Sequence, residues 1–227
     1  PLHKCSYLPR QDAITLFADP KAEVNQNLYS DLSEMGFRRS GNYLYRPHCR
    51  QCAACIPVRI PCDAFVPSRK QKRVAKKNAD LNITAVDPVY SEEHYHLYQS
   101  YIEQKHRDGD MYPPSPEQYA SFLLSDWGNT VFFEFRDSNS QLLAVSVCDI
   151  LENGISAVYT FYDVSQPKRS LGVMAVLWQI EEAQNRGLPS VYLGYWIKEC
   201  QKMSYKTDYR PLEMLIDDHW VQTNSRD

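Results

Sequence analysis

The stretch Leu142-Leu-Ala-Val-Ser-Val-Cys-Asp-Ile-Leu151, Glu152-Asn153-Gly154 and Ile155-Ser-Ala-Val-Tyr-Thr-Phe-Tyr162 decides the fold. Two runs rich in apolar, β-branched and aromatic residues flank Asn-Gly, the pair that best tolerates the left-handed backbone of a tight hairpin turn. Upstream, Thr130-Val-Phe-Phe-Glu-Phe-Arg136 reads as a third strand, joined to the hairpin by a turn over residues 137–141. Downstream, Ser170 to Arg186 reads as a helix. Leu171, Met174, Leu177 and Ile180, with Val173 and Val176, give it a wide apolar face, and Gly187 supplies its stop. Ser190 to Trp196 reads as another strand and Glu213 to Ile216 as a last one. The order is an antiparallel meander, a long helix and a strand.

The first part of the chain is less regular. Ile14, Leu16 and Phe17, then Leu28, Leu32 and Met35, suggest short helices separated at Pro20. Asn42 to Arg46 alternates like a strand. Cys55 to Ile60 reads as another, with Pro57 placing it at an edge or at a strand start. Ser68 to Leu81 reads as a polar, basic helix with Ser68 as N-cap. In the helix expected over residues 91–107, Tyr95, Tyr98, Tyr101 and Ile102 form a core stripe, while His94 and His96 face solvent. Residues 108–116 read as a loop, and Glu117 to Leu124 as a short helix. The expected division is a Cys-containing basic region over 1–85 and a second domain over 86–227.

At 227 residues the chain can bury a sizeable core without disulfides. No apolar run is long enough to cross a bilayer, and Pro1 to Arg10 lacks the apolar stretch of a signal peptide. Seven Cys, three of them at three-residue spacing, read as reduced thiols, so a cytoplasmic location and no membrane partner are expected. The net charge of −3 hides an asymmetry. Arg38 to Lys77 carries eleven Lys and Arg against Asp63 alone, a net +10, while the remainder carries 14 bases and 27 acids. Such a segment in an otherwise acidic chain is the electrostatic footprint of a polyanion.

Four constellations bear chemistry. Cys5, Cys49, Cys52 and Cys55 have a suggestive zinc-like spacing without the paired form, and small buried packing residues explain them as well; no metal is assigned. The basic stretch interleaves Tyr43, Tyr45 and Phe65 among its arginines, and Arg forks with stacking aromatics suit a single-stranded nucleic-acid end. Lys168-Arg169-Ser170-Leu171-Gly172 lies at a helix start, where unpaired N–H groups face anions. It partly matches the pyrophosphate loop of acetyltransferases. The pair Tyr192-Leu-Gly-Tyr-Trp-Ile-Lys198 and Lys202-Met-Ser-Tyr-Lys206 sets lysines and aromatics beyond a strand end.

Taken with Cys5-Ser-Tyr-Leu-Pro9, Gly36-Phe-Arg-Arg-Ser-Gly41, Tyr45-Arg-Pro47, Cys49 to Arg59, Lys77-Asn-Ala-Asp-Leu81 and Ala157 to Asp163, these motifs run through the chain in order. In that order they resemble the arginyl-tRNA–protein transferase family, more closely its bacterial, leucyl-transferring branch. The resemblance implies an α/β (α+β) fold. Its core would be similar to a Gcn5-related N-acetyltransferase, with a mixed, largely antiparallel sheet and a smaller N-terminal Cys-containing region. It implies transfer of Leu from Leu-tRNA to proteins with an N-terminal Asp or Glu, marking them for degradation. The eukaryotic branch uses paired Cys motifs for a metal centre; Leu8 stands where the second Cys of the first pair would be.

An aminoacyl ester is already activated, so no cofactor is expected. On this reading Asp163 or a nearby tyrosine orients the acceptor amine, and Tyr159, Tyr195, Tyr205 and Lys206 contact the reacting ester. An acidic acceptor needs a cation, for which Arg38, Arg39 and Arg73 are first choices. Tyr43, Arg46, Arg59, Ser170, Lys198 and Lys202 complete the expected substrate contacts. The oligomeric state stays open, as do arginyl transfer by the same chemistry, an acetyl-CoA-dependent N-acyltransferase and a non-catalytic RNA-binding module with a zinc knuckle.

Overall fold

The computed structural model describes residues 2–223. In chain order its elements are β1 (Leu2–Lys4), β2 (Asp12–Phe17), α1 (Gln26–Glu34), β3 (Arg38–Ser40), β4 (Tyr43–Pro47) and β5 (Ile56–Pro61). Then come α2 (Arg69–Lys77), β6 (Asn82–Val86), α3 (Glu92–Lys105), α4 (Pro116–Leu123), β7 (Thr130–Arg136), β8 (Leu142–Leu151) and β9 (Gly154–Tyr162). The chain continues through α5 (Leu171–Asn185), β10 (Ser190–Trp196), a 3-10 segment (Gln201–Asp208), β11 (Leu212–Ile216) and β12 (His219–Thr223).

The strands form two sheets. The small one has the order β1-β2-β4-β3, and the large one β12-β11-β5-β10-β9-β8-β7-β6. The large sheet is antiparallel throughout except for the pair β9 and β10. This is the mixed, largely antiparallel α/β architecture expected, and the meander β7-β8-β9 with α5 and β10 forms as read. Helix α5 lays Leu171, Met174, Ala175, Ile180 and Ala183 against one face. Helices α3 and α4 cover the other with Tyr95, Tyr98, Ile102, Tyr119 and Leu123. Covering both faces explains why β8 is apolar almost without alternation: Leu142 to Asp149 is buried at every position.

The first 85 residues are shared between the sheets. Strands β1 to β4 make the small sheet. Strand β5 lies between β10 and β11, α2 packs on α5, and residue 85 falls inside β6, which pairs with β7.

Several expectations change. Residues 12–17 are a strand, not a helix, because Ile14 and Thr15 are β-branched and β1 and β4 supply ladder partners on both sides. Pro57 opens β5 rather than lying at an edge; β5 is internal, and its pairing with β11 begins only at Val58, past the residue without an N–H. His94 is buried rather than solvated, its Nε2 2.6 Å from Glu134. Ser68 caps α2 as expected, in a full capping box with Gln71.

Candidate active site

Strands β9 and β10 run parallel but pair over only three residues, Gly154–Ser156 with Ser190–Tyr192. Beyond that point each strand is irregular. The β9 register against β8 shifts at Val147/Cys148, and that of β10 against β5 shifts between Tyr192 and Gly194. The strands therefore part and leave carbonyls without ladder partners, a local opening of the kind that bulges create.

Arg38, from β3 of the small sheet, fills the mouth of this split. Its Nη1 donates to Ser156 Oγ at 3.1 Å and to the Tyr192 carbonyl at 3.2 Å, and its Nη2 donates to the Ala157 carbonyl. No carboxylate pairs with Arg38 among the described residues. Gly194 lies against this guanidinium: a Cβ there would stand 3.2 Å from Nε, 3.4 Å from Cζ and 3.5 Å from Nη2. Gly194 has φ +79°, so glycine suits both the backbone there and the close approach of Arg38.

Lys206 lies next to this charge. It is 7% exposed, and its Nζ donates to the Tyr195 carbonyl at 2.5 Å, one residue past Gly194. Burial, and then the nearby charge of Arg38, pull its pKa down to about 7. Tyr205 is 44% exposed, with Lys206 Nζ 5.9 Å from its ring centre. Tyr159, Tyr162 and Tyr101 continue the wall: the Tyr101 and Tyr162 rings are 4.8 Å apart, and those of Tyr101 and Tyr159 are 6.3 Å apart. The Tyr159 hydroxyl is buried and has no hydrogen-bond partner among the described residues. Burial, and then the neighbouring Tyr101, push its pKa up, so it stays a neutral donor. This donor is free to meet a bound group, as are other unpaired donors buried elsewhere, Tyr119, Trp178 and Tyr209 among them.

Other expected site residues go elsewhere. Arg39 does not reach the surface: with Asp149 it forms a buried pair, Nε to Oδ2 at 2.7 Å and Nη2 to Oδ1 at 3.0 Å, both side chains almost fully covered. Arg59 is held between Glu34 and Glu213 at 2.6 Å each, 4.3 Å from the Trp220 ring centre, which ties β5 to α1 and β11. Tyr195 spends its hydroxyl on the Gly36 and Tyr45 carbonyls, at 2.9 and 3.2 Å. Asp163 closes a turn, accepting from Ser165 N and Gln166 Nε2; these bonds outweigh burial and hold its pKa below the usual range. Lys202 pairs with Asp108 at the surface. Arg46 donates to the Met35 carbonyl. Ser170 stands at the N-terminus of α5 in a left-handed conformation without a side-chain cap. Tyr43 is 57% exposed, and Arg73 and Lys198 are exposed as well.

Three residues here have no assigned role in the sequence reading: Ser156 and Tyr162, which lie in a stretch it singles out, and Tyr101. Tyr101 hid in the helical Tyr stripe, where it reads as core. Ser156 sits in a strand whose small polar residue reads as a gap between apolar ones.

The four N-terminal cysteines do come together. Burial, and then the neighbouring Cys5, Cys49 and Cys52, push the Cys55 thiol up to about 12. The Sγ atoms of Cys5 and Cys49 accept the Leu8 and Ile14 amides. Among the described residues no three His, Cys, Asp or Glu form a group that could hold a metal ion.

Sequence comparison matches residues 3–73 to "Arginine-tRNA-protein transferase, N terminus" and residues 93–216 to "Arginine-tRNA-protein transferase, C terminus". The chain belongs to the arginine-tRNA-protein transferase family. Within the family it is 57% identical over 222 residues to "Aspartate/glutamate leucyltransferase" of Pseudomonas entomophila (strain L48), covering 98% of this chain and 94% of that one. It is 58% identical, with the same coverage, to the protein of that name from Pseudomonas fluorescens (strain Pf0-1). Among solved structures, the L-PGS from Bacillus licheniformis gives a TM-score of 0.49 at 11% identity, over 72% of this chain and 48% of that one.

Proposed function

We propose that this family member transfers Leu from Leu-tRNA to the α-amine of proteins that begin with Asp or Glu. The near-full-length relatives named aspartate/glutamate leucyltransferase support both donor and acceptor. The single observation that carries the acidic acceptor is Arg38. Its guanidinium stands in the β9/β10 split with no protein carboxylate, its hydrogen bonds all going to uncharged oxygens. A charge in that position favours an anionic guest, and a carboxylate answers it with two parallel bonds.

An acceptor side chain on Arg38 brings its amine toward Lys206, which feels the charge of that arginine, and Tyr205 connects this place to the cluster that holds Tyr159. The amine attacks the ester carbonyl, the carbonyl oxygen takes up negative charge, and the ribose oxygen leaves. Tyr159, as a neutral buried donor, suits the developing oxyanion. Juxtaposition of two held substrates supplies much of the rate.

The tRNA meets the basic surface. Arg39 and Arg59 are committed to acids inside the protein, so the outward charge concentrates on α2, where Arg69, Lys70, Lys72, Arg73, Lys76 and Lys77 are exposed. Gln71, on the buried side, donates to the Asp208 carbonyl and docks this helix beside the segment that carries Lys206. The exposed rings of Phe17 and Tyr43, 6.2 Å apart, offer stacking surface for unpaired bases. Placement of Leu at an N-terminus marks the modified protein for degradation by an N-degron pathway in the cytoplasm. The test is transfer of labelled Leu from Leu-tRNA to peptides that differ only in an N-terminal Asp, Glu or Ala. Label on the first two alone is expected, and equal labelling of the Ala peptide overturns the reading.

A further inference from the structure

Lys206 is placed for more than contact. Its ammonium would be enclosed, 7% exposed, on a 3-10 segment, with the Tyr195 carbonyl as its hydrogen-bond acceptor. The ionisable groups facing it are Arg38 from β3, Cys200 from the loop after β10 and Tyr205 from its own segment. No carboxylate pairs with it among the described residues. A lysine next to an arginine in a covered site is disfavoured as a cation twice, by lost hydration and by like charge. Arginine and lysine flank the Gly194–Tyr195 pair, Arg38 packed against the glycine and Lys206 bonded to the tyrosine carbonyl.

We propose that Lys206 is the base that takes the proton from the acceptor's α-ammonium, and that an acidic acceptor side chain switches it on by neutralising Arg38. The proposal deepens the transferase reading and rests on it. The acceptor arrives as an ammonium with three N–H bonds. Neutral Lys206 takes the first proton while its own N–H still donates to the Tyr195 carbonyl. The freed amine forms the C–N bond, the ester C–O bond breaks, and the Lys206 ammonium returns its proton to the departing ribose oxygen. The second proton lost from the nitrogen passes through Lys206 to solvent, and the amide keeps the third. No oxidant or further reactant enters.

The gate follows from the same charges. With Arg38 unpaired, its field lowers Lys206 basicity; burial and Arg38 together hold the pKa at about 7. A carboxylate on Arg38 cancels that field, so Lys206 becomes a stronger base when Asp or Glu is bound and not when Ala is. Acidic acceptors are thus selected in the chemical step as well as in binding.

The experiment is a kcat–pH profile from pH 5.5 to 9 with Leu-tRNA and an Asp-initiated peptide, for the wild-type protein, Lys206→Gln and Lys206→Arg. Gln keeps a donor for the Tyr195 carbonyl without titrating, and Arg keeps a permanent charge. Wild-type kcat is expected to rise through a limb set by Lys206. Both variants are expected to lose on the order of 10²–10⁴-fold in kcat. Any residual limb would move to the substrate amine's own pKa, about 7.7–8.0. Unchanged kcat and profile in folded Lys206→Gln overturn the base, while wild-type transfer continues and the functional reading stands; absent wild-type transfer would instead sink that reading. The wild-type protein labelled at lysine Cε decides independently of variant folding. One lysine is expected to titrate near pH 7, with its midpoint raised by an Asp-Ala dipeptide and not by Gln-Ala. All lysines titrating near about 10.4 overturn the proposal.

Discussion

Replacing Arg39 with Met tests whether this arginine holds the fold or the substrate. Its side chain is fully covered, and it makes five hydrogen bonds: two to Asp149, one each to the Gly41 and Leu123 carbonyls, and a long one to Thr130 Oγ1. Removing it leaves the Asp149 carboxylate, 1% exposed, with only the hydroxyls of Tyr29 and Thr130. Breaking a buried pair from one side costs about 3–5 kcal/mol, because the surviving charge is uncompensated. For a chain of this size each kcal/mol lowers Tm by roughly 2–4 °C, so a fall of about 6–20 °C is expected. Urea unfolding at fixed pH gives the free energy directly, from the midpoint with an unchanged slope. Arg39→Met combined with Asp149→Leu removes both charges and is expected to recover part of the loss, leaving the Tyr29 and Thr130 hydroxyls as the residual cost. A single variant within about 1 kcal/mol of wild type that had lost transfer to Asp peptides would refute this reasoning and return Arg39 to the substrate site.

Arg38→Ala is expected to cut kcat/KM for Asp and Glu peptides by roughly 10- to 150-fold, the loss of a charge-assisted bond of about 1.5–3 kcal/mol, with tRNA binding unchanged in a filter assay. Gly194→Ala is expected to act in the same direction, since its methyl group crowds the Nε–Nη2 edge of Arg38 and strains a φ of +79°. Tyr159→Phe deletes a buried hydroxyl without a partner, so it is expected to leave thermal stability equal or higher while lowering kcat; a destabilised, fully active variant would contradict the assignment. Changing Lys70, Lys72, Arg73 and Lys76 together to Gln is expected to flatten the salt dependence of tRNA binding by roughly 0.7–0.9 in log–log slope for each phosphate that is no longer neutralised, measured by titration from 50 to 200 mM salt.

The fold was legible where side-chain period and turn chemistry agreed. The meander and α5 follow from residues 130–186 because β-branched runs, Asn153-Gly154 and an apolar helical face point the same way. Residues 12–17 misled because Ile14, Leu16 and Phe17 fit either period over so short a run, and the deciding ladder to β4 lies some thirty residues away. The internal position of β5 was hidden for the same reason: both partners, β10 and β11, are more than a hundred residues on. At the site, local motifs and the family resemblance pointed to Arg38, Tyr159, Tyr205 and Lys206 but could not separate them from Arg39, Arg59, Tyr195 and Asp163. The difference lies in partners, and Glu34, Asp149, Glu213 and the Gly36 carbonyl are supplied by distant segments.

The two neighbouring arginines show how one strand serves both ends of this problem. Successive residues of a strand face opposite sides, so Arg38 shares a face with Tyr45 and Phe17, while Arg39 shares the other with Leu44. Arg39 fixes β3 to β8 through Asp149, and that anchor sets where Arg38 enters the β9/β10 split. A slip of one residue in the pairing of β3 that moved Arg39 to the place of Arg38 would bring Ser40 to the place of Arg39. It would aim Arg39 at the split and leave Asp149 buried without its cation, at the same cost of about 3–5 kcal/mol as removing the arginine alone. The buried pair therefore does more than hold two sheets together. It makes that register unfavourable, and so it keeps in the split the arginine of β3 that no protein carboxylate neutralises.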